Sequence, residues 1–179
     1  TTDDPKTSAT SDNMIFYTAP TVMDGVAITA SYTPKGTGAS ASTAFGLGYT
    51  GVEGLSVNYA QGNDESTVGS TADVTTLKAS YAYGPVTVGY STTEYDGENT
   101  GVDVDQDVES YNISYTVSDA ISVSYGTETI SEPNDTDDQD IEVAGITASY
   151  TSGGMTITGK MADADNVDMT TTTTADRQH

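Results

Sequence analysis

The feature that most constrains this chain is an alternation of apolar and polar side chains with a period of two, recurring from residue 26 to residue 160. Successive side chains on a strand point to opposite faces, so this period places each set on one face. Val26, Ile28, Ala30 and Tyr32 interleave with Ala27, Thr29, Ser31 and Thr33. Phe45, Leu47 and Tyr49 interleave with Gly46, Gly48 and Thr50, and Leu55, Val57 and Tyr59 with Ser56, Asn58 and Ala60. Leu77, Ala79, Tyr81 and Tyr83 oppose Lys78, Ser80 and Ala82, and Val86, Val88 and Tyr90 oppose Thr87, Gly89 and Ser91. The rule continues with Tyr111, Ile113, Tyr115 and Val117 against Asn112, Ser114 and Thr116, then with Ile121, Val123 and Tyr125 against Ser122, Ser124 and Gly126. It ends with Ala144, Ile146, Ala148 and Tyr150 against Gly145, Thr147 and Ser149, and with Met155 and Ile157 against Thr156, Thr158 and Lys160. Residues 13 to 19 also read as a strand, but Phe16 and Tyr17 are adjacent and leave its faces open. The fold class is therefore all-β, with about ten strands.

Short and long connections alternate along these strands. Short turns fall near Pro20 to Gly25, Gly51 to Gly54, Gly84-Pro85, Ser118-Asp119 and Ser152 to Gly154. Long polar stretches fall at Lys35 to Ser42, Asn63 to Asp73, Asp96 to Asp107, Ser131 to Asp140 and roughly Asp163 to His179. An up-and-down meander with tight turns at one end and long loops at the other gives this rhythm.

Charge is concentrated in the long connections. The chain has 27 acidic and 5 basic residues, a formal net charge of -22. Nucleic acid is excluded as a partner, because phosphate binding needs basic patches. Cysteine is absent and the one histidine is the terminal His179, which argues against thiolate metal sites and a Ser-His-Asp triad. No cofactor is implied. The chain opens on threonine without a charged and then apolar leader, which reads as a mature or truncated chain. No apolar run approaches the roughly 20 residues of a membrane helix, but a barrel strand needs only about 10, half of them apolar.

A soluble sandwich usually places Lys and Glu on its outer strand face. Here the polar face is Ser, Thr, Gly and Asn, suited to a water-filled lumen, and the other face is Val, Ile, Leu, Met and Tyr, suited to lipid. Unpaired backbone groups in hydrocarbon cost several kcal/mol each, so such a sheet closes into a barrel or is completed by further strands. The expected architecture is an antiparallel up-and-down transmembrane β-barrel. Residues 1–179 form one partial domain, with 1–12 and 163–179 as loop or flexible ends. Tyr49, Tyr83, Tyr115 and Tyr150 fall just before short turns and match an aromatic girdle. Tyr32, Tyr59, Tyr90 and Tyr125 fall about five residues past a turn, roughly mid-band on a strand tilted near 45°. That leaves either a short apolar band or extended turns.

Asn13 to Pro34, read as N-M-I-F-Y-T-A-P…D-G-V-A-I-T-A-S-Y-T-P, resembles general bacterial porins, in which a similar strand, Pro-containing turn and strand follow the constriction loop. The later hairpin rhythm is similar to that family over nearly the whole chain, most closely to porins of alphaproteobacteria. The resemblance implies a 16-stranded homotrimeric channel for small hydrophilic solutes or ions in the lipid and lipopolysaccharide of a Gram-negative outer membrane. It also implies that the tight turns face the periplasm and the acidic loops face outside. The early strands, the constriction loop and the aromatic terminal strand of the family are missing, so the chain reads as an internal piece of a larger barrel.

Candidate site residues follow. Expected on the pore wall are Thr29, Ser31, Asn58, Ser80, Thr87, Asn112, Ser114, Ser122, Ser124, Thr147, Ser149, Thr156 and Thr158, together with Lys78 and Lys160. These two are the only basic residues within strands, and at mid-depth on the lipid side each would cost about 2–4 kcal/mol. On the pore wall they attract anions, or they are simply solvated. Asp103, Asp105 and Asp107, and Asp135, Asp137, Asp138 and Asp140, place carboxylates at alternate positions that could hold Ca²⁺. They do not match the twelve-residue calcium loop, and a solvated anionic loop tip is the plainer reading. A glycosidase carboxylate pair is disfavoured by acids confined to loops. Passive diffusion without chemistry is the expected function. The rivals are a soluble extracellular β-sandwich or adhesin module with acidic loops, and a lattice-forming surface protein.

Overall fold

A computed structural model describes residues 13–35, 40–65, 70–133 and 139–167, and the backbone of 177–178. Among these residues the secondary structure is all strand: β1 (Ile15–Thr18), β2 (Val26–Thr33), β3 (Ser42–Tyr49), β4 (Leu55–Asp64), β5 (Ser70–Tyr83), β6 (Val86–Asn99), β7 (Val102–Asp103), β8 (Gln106–Ser118), β9 (Ile121–Ser131), β10 (Ile141–Ser152), β11 (Met155–Asp165) and β12 (Arg177–Gln178). They make one antiparallel sheet in chain order, with β7 paired to β6 beside the main path. Each strand contacts only its sheet neighbours. The two-sheet sandwich reading is thereby corrected: among the described residues no second sheet packs on the apolar face.

The alternation predicted each long strand but ended several too early. β5 begins at Ser70, seven residues before Leu77, and β6 continues to Asn99. Both ends of the polar stretch at 63–73 are therefore strand, up to Asp64 and from Ser70. The stretch at 96–107 is mostly strand, folded through a two-residue hairpin at Thr100 and Gly101, with φ of 54° and 79°. Two successive positive φ values define the turn whose twist suits a tight hairpin. The same geometry joins β10 to β11 through Gly153 and Gly154, with φ of 58° and 82°. The strand ends were hidden because both faces become non-alternating there.

The register keeps one apolar face continuous across the sheet. The row Val26, Tyr49, Val57, Ala79, Tyr90, Tyr111 crosses from β2 to β8 by direct pairing. It continues through Thr127 and Ala144 to Asp163. Tyr49 is the last residue of its strand, whereas Asp163 lies eight residues past the start of β11. A row perpendicular to the strands thus climbs steadily from the tight turns toward the long connections, the stagger that barrel closure requires. The same pairing settles β1: Ile15 faces Tyr32 and Tyr17 faces Ala30 on the apolar side, while Phe16 faces Ser31 on the polar side.

The apolar face is exposed. Ile113 is 47% accessible, Tyr125 50% and Ile146 51%, although all three lie mid-sheet. The buried residues among those described are Ala72, Gly97, Gln106, Ile130 and Ile141. All five fall on the polar face, at the long-connection end. Gln106, at 1% accessibility, is the most enclosed. The polar face is therefore not uniformly hydrophilic, as its sequence suggested. Extended beyond the tight-turn half, its alternating positions become Val74, Tyr95, Val108, Ile130 and Ile141. Val104 donates its backbone N–H to Gly97 O at 2.7 Å and the Asp105 carboxylate accepts from Gly97 N at 3.1 Å, which folds this segment over the cluster.

Candidate functional site

Among the described residues, the polar face gathers the hydrophilic side chains of the tight-turn half of the sheet. Every residue expected there lies on it. Thr87, Ser114, Ser124, Thr147 and Lys160 form one row by direct pairing, and Thr116, Ser122, Ser149 and Thr158 the next. Ser80, Gly89 and Asn112 lie in a third. Asn58, Lys78 and Ser91 lie in a fourth, continued by Ser110 and Glu128. Thr29 and Ser31 lie on the same face of β2, opposite Gly46 and Ala44. Thr156 faces Thr151. Hydroxyls pair laterally across strands: Ser149 with Thr158 at 3.0 Å, Thr151 with Thr156 at 2.9 Å and Thr76 with Thr93 at 3.0 Å. These pairs keep lone pairs and rotatable hydroxyls at the surface, so this face offers both donors and acceptors to water.

Glu128 is a charged polar-face residue outside the strands that the alternation marks, as are the hydroxyl residues Thr76, Thr93 and Ser110. Its strand was ended at Gly126, but the same period two carries straight on to Glu128. Ser110 donates its hydroxyl to Glu128 Oε2 at 2.9 Å. With Lys78 and Lys160, it gives this face both signs of charge. Lys78 has uncharged cross-strand neighbours, Asn58 and Ser91, and Lys160 has Thr147.

Asp64, paired with Ala72, shares the polar face near the long connections, and the other strand carboxylates sit on the opposite face. Along β6, Val86, Val88 and Tyr90 are followed on the same side by Thr92, Glu94, Asp96 and Glu98. Along β8, Tyr115, Ile113 and Tyr111 give way to Glu109 and Asp107. Asp73, Glu142, Asp163 and Asp165 complete a collar beyond the apolar band. Several acids oppose each other directly: Asp73 with Asp96, Glu94 with Asp107 and Glu142 with Asp165. Like charges in that position repel, so the collar needs water, salt or polar headgroups around it.

Tyrosines mark both borders of the band. Tyr49, Tyr83, Tyr115 and Tyr150 stand on the apolar face near the tight turns. In the second row Tyr90 borders the collar, whereas Tyr125 pairs with Ile113 and Ile146 inside the band. Tyr90 and Tyr111 donate their hydroxyls to Glu109 Oε1 at 2.9 and 2.8 Å, and Tyr59 donates to Gln61 Oε1 at 3.1 Å. The Tyr90 and Tyr111 rings meet at 5.0 Å. Each ring lies against apolar neighbours with its hydroxyl turned to a polar group, the disposition of an interfacial aromatic.

The calcium candidates are not assembled. Asp103 lies in β7 opposite Glu98, Asp105 accepts from Gly97, and Asp107 belongs to the collar. Among the described residues no group of three or more acidic or histidine side chains converges on a metal position. Asp135, Asp137 and Asp138 lie outside the described residues.

Residues 1–169 match the family described as Gram-negative porin. The chain belongs to that family. Its location is accordingly the Gram-negative outer membrane, and its sheet is part of a transmembrane β-barrel. The anion-selective porin from Comamonas acidovorans superposes with a TM-score of 0.72 at 16% identity, over 84% of this chain and 48% of that one. A porin refined at 1.8 Å resolution gives 0.66 at 19% identity, over 85% and 55%. The trimer form of in-vitro folded OmpT, an outer membrane protein of Vibrio cholerae, gives 0.68 at 17% identity, over 85% and 54%. At such identities the shared property is the fold. No curated protein matches the chain. The chain spans about half the length of these three solved structures.

Proposed function

We propose that this sheet is part of the wall of an outer-membrane channel through which small hydrophilic solutes and ions pass by passive diffusion. The observation that carries the reading is the division of the two faces. Hydroxyls, Asn and a few charges cover one side, and exposed Val, Ile and Tyr side chains with no second layer upon them among the described residues cover the other. On this reading the polar residues from Thr29 to Lys160 line the lumen, and Tyr49, Tyr83, Tyr115 and Tyr150 lie at the periplasmic rim in contact with lipid. The collar stands among lipopolysaccharide headgroups, and the long connections face outside. The intact protein is a homotrimer of 16-stranded barrels, uses no cofactor, binds no nucleic acid and catalyses no reaction.

Transport then depends on size and charge alone, because a water-filled passage offers no bond to make or break. The wall hydroxyls replace part of a solute's hydration shell, which keeps the cost of entry low. Planar-bilayer recordings of the intact protein test the proposal. Stepwise openings with an ohmic open state are expected, and their absence at any applied voltage overturns it.

A further inference from the structure

We propose that Glu128 and Lys160 form the two poles of a wall site for zwitterionic solutes, in particular extended short peptides; this rests on the channel reading above. Both residues lie on the polar face and line one groove. Gly126, Gly145 and Ala162, paired side by side, floor that groove with nothing taller than a methyl group. Glu128 stands on one side of this row and Lys160 on the other.

The register fixes the spacing. Glu128 pairs with Val143, which pairs with Ala164, four residues along β11 from Lys160. At about 3.4 Å per residue and 4.8 Å per strand, the two Cα atoms are roughly 17 Å apart. The lysine stem can swing several Å across the groove, which leaves about 10–13 Å between the charges. An extended peptide of about three or four residues covers that distance at roughly 3.3–3.6 Å per residue. Its ammonium end meets Glu128 and its carboxylate end meets Lys160.

The two poles do not cancel each other. Ser110 holds the Glu128 carboxylate toward β8, and Lys160 lies two strands away on the other side, on β11. Asn112 and Thr147, on the same groove, present an amide and a hydroxyl to a peptide backbone between the poles. Lys78 lies in the same row as Glu128 but across Ser91 and Ser110, on the far side from the floor of Gly126, Gly145 and Ala162.

Planar-bilayer recording on the intact protein provides the test, with trialanine as probe and acetylated, amidated trialanine as its uncharged equivalent. Each peptide interrupts ionic current while it occupies the pore. The free peptide should interrupt it about two- to fivefold longer than the capped one, as expected for solvent-exposed charge contacts. Glu128→Gln and Lys160→Gln should each abolish that difference between the two peptides. Open channels with equal interruptions by the two peptides overturn the site and leave the channel reading intact. A difference that survives either substitution also overturns it. Wild-type protein that forms no channels overturns both.

Discussion

The tight-turn half of the sheet and its long-connection half are built from the same strands with opposite codes. In the first, Tyr115, Ile113 and Tyr111 face one way and Ser114 and Asn112 the other. A few residues farther along β8, Glu109 and Asp107 take the exposed apolar side, while Val108 and the buried Gln106 take the polar one. A binary pattern therefore reports the medium on each side of a strand at each height, not a property of the strand itself. Where the outer medium is hydrocarbon, only apolar groups are tolerated outward. Past the tyrosine border it is polar, carboxylates are admitted, and the chain covers the inner side with its own apolar residues.

This contrast can be broken at specific positions. The largest effect is expected from a charge in the apolar band. Ile113→Arg, flanked by Val88 and Tyr125, should destabilise the lipid-inserted fold by about 2–4 kcal/mol, read by denaturant unfolding in phospholipid vesicles. An arginine placed at Glu109 on the same face should cost far less, and equal costs would erase the distinction between the halves. Next comes the buried cluster: Ile130→Ala should cost about 2–4 kcal/mol through the cavity it leaves, measured in the same assay. Gly97→Val follows at about 1–3 kcal/mol, because its Cβ would run into the Tyr95 ring and crowd Val104. The smallest effect is a gain. Glu94→Gln relieves the repulsion from Asp107 opposite and should stabilise by about 0.2–1 kcal/mol at low salt. That gain should fade as sodium chloride is raised, since exposed charges are screened.

Much of this was legible in the sequence. From Val26 to Lys160 the alternation located every long strand and put Thr29, Asn58, Lys78, Thr147 and the rest on one face. That worked because two media of opposite polarity enforce a strict period of two. The upper parts of β5, β6 and β8 were illegible for the same reason: around Asp73, Glu94 and Asp107 one face is acidic and the other mixed, so no alternation marks a strand. Glu128 was lost with them, although counting on from Ser122 and Ser124 reaches it. Ile130 and Ile141 could not be read as a buried pair, because residues on either side of a long connection are brought together only by the register.

The most direct test of the account uses the absence of cysteine from the chain. Single cysteines introduced at Ser110, Tyr111, Asn112, Ile113 and Ser114 in the intact protein, inserted in phospholipid vesicles, are treated with a small membrane-impermeant thiol reagent. The account predicts rapid modification at positions 110, 112 and 114 and protection at 111 and 113. Modification at the odd positions with protection at the even ones, or equal rates along β8, would contradict it.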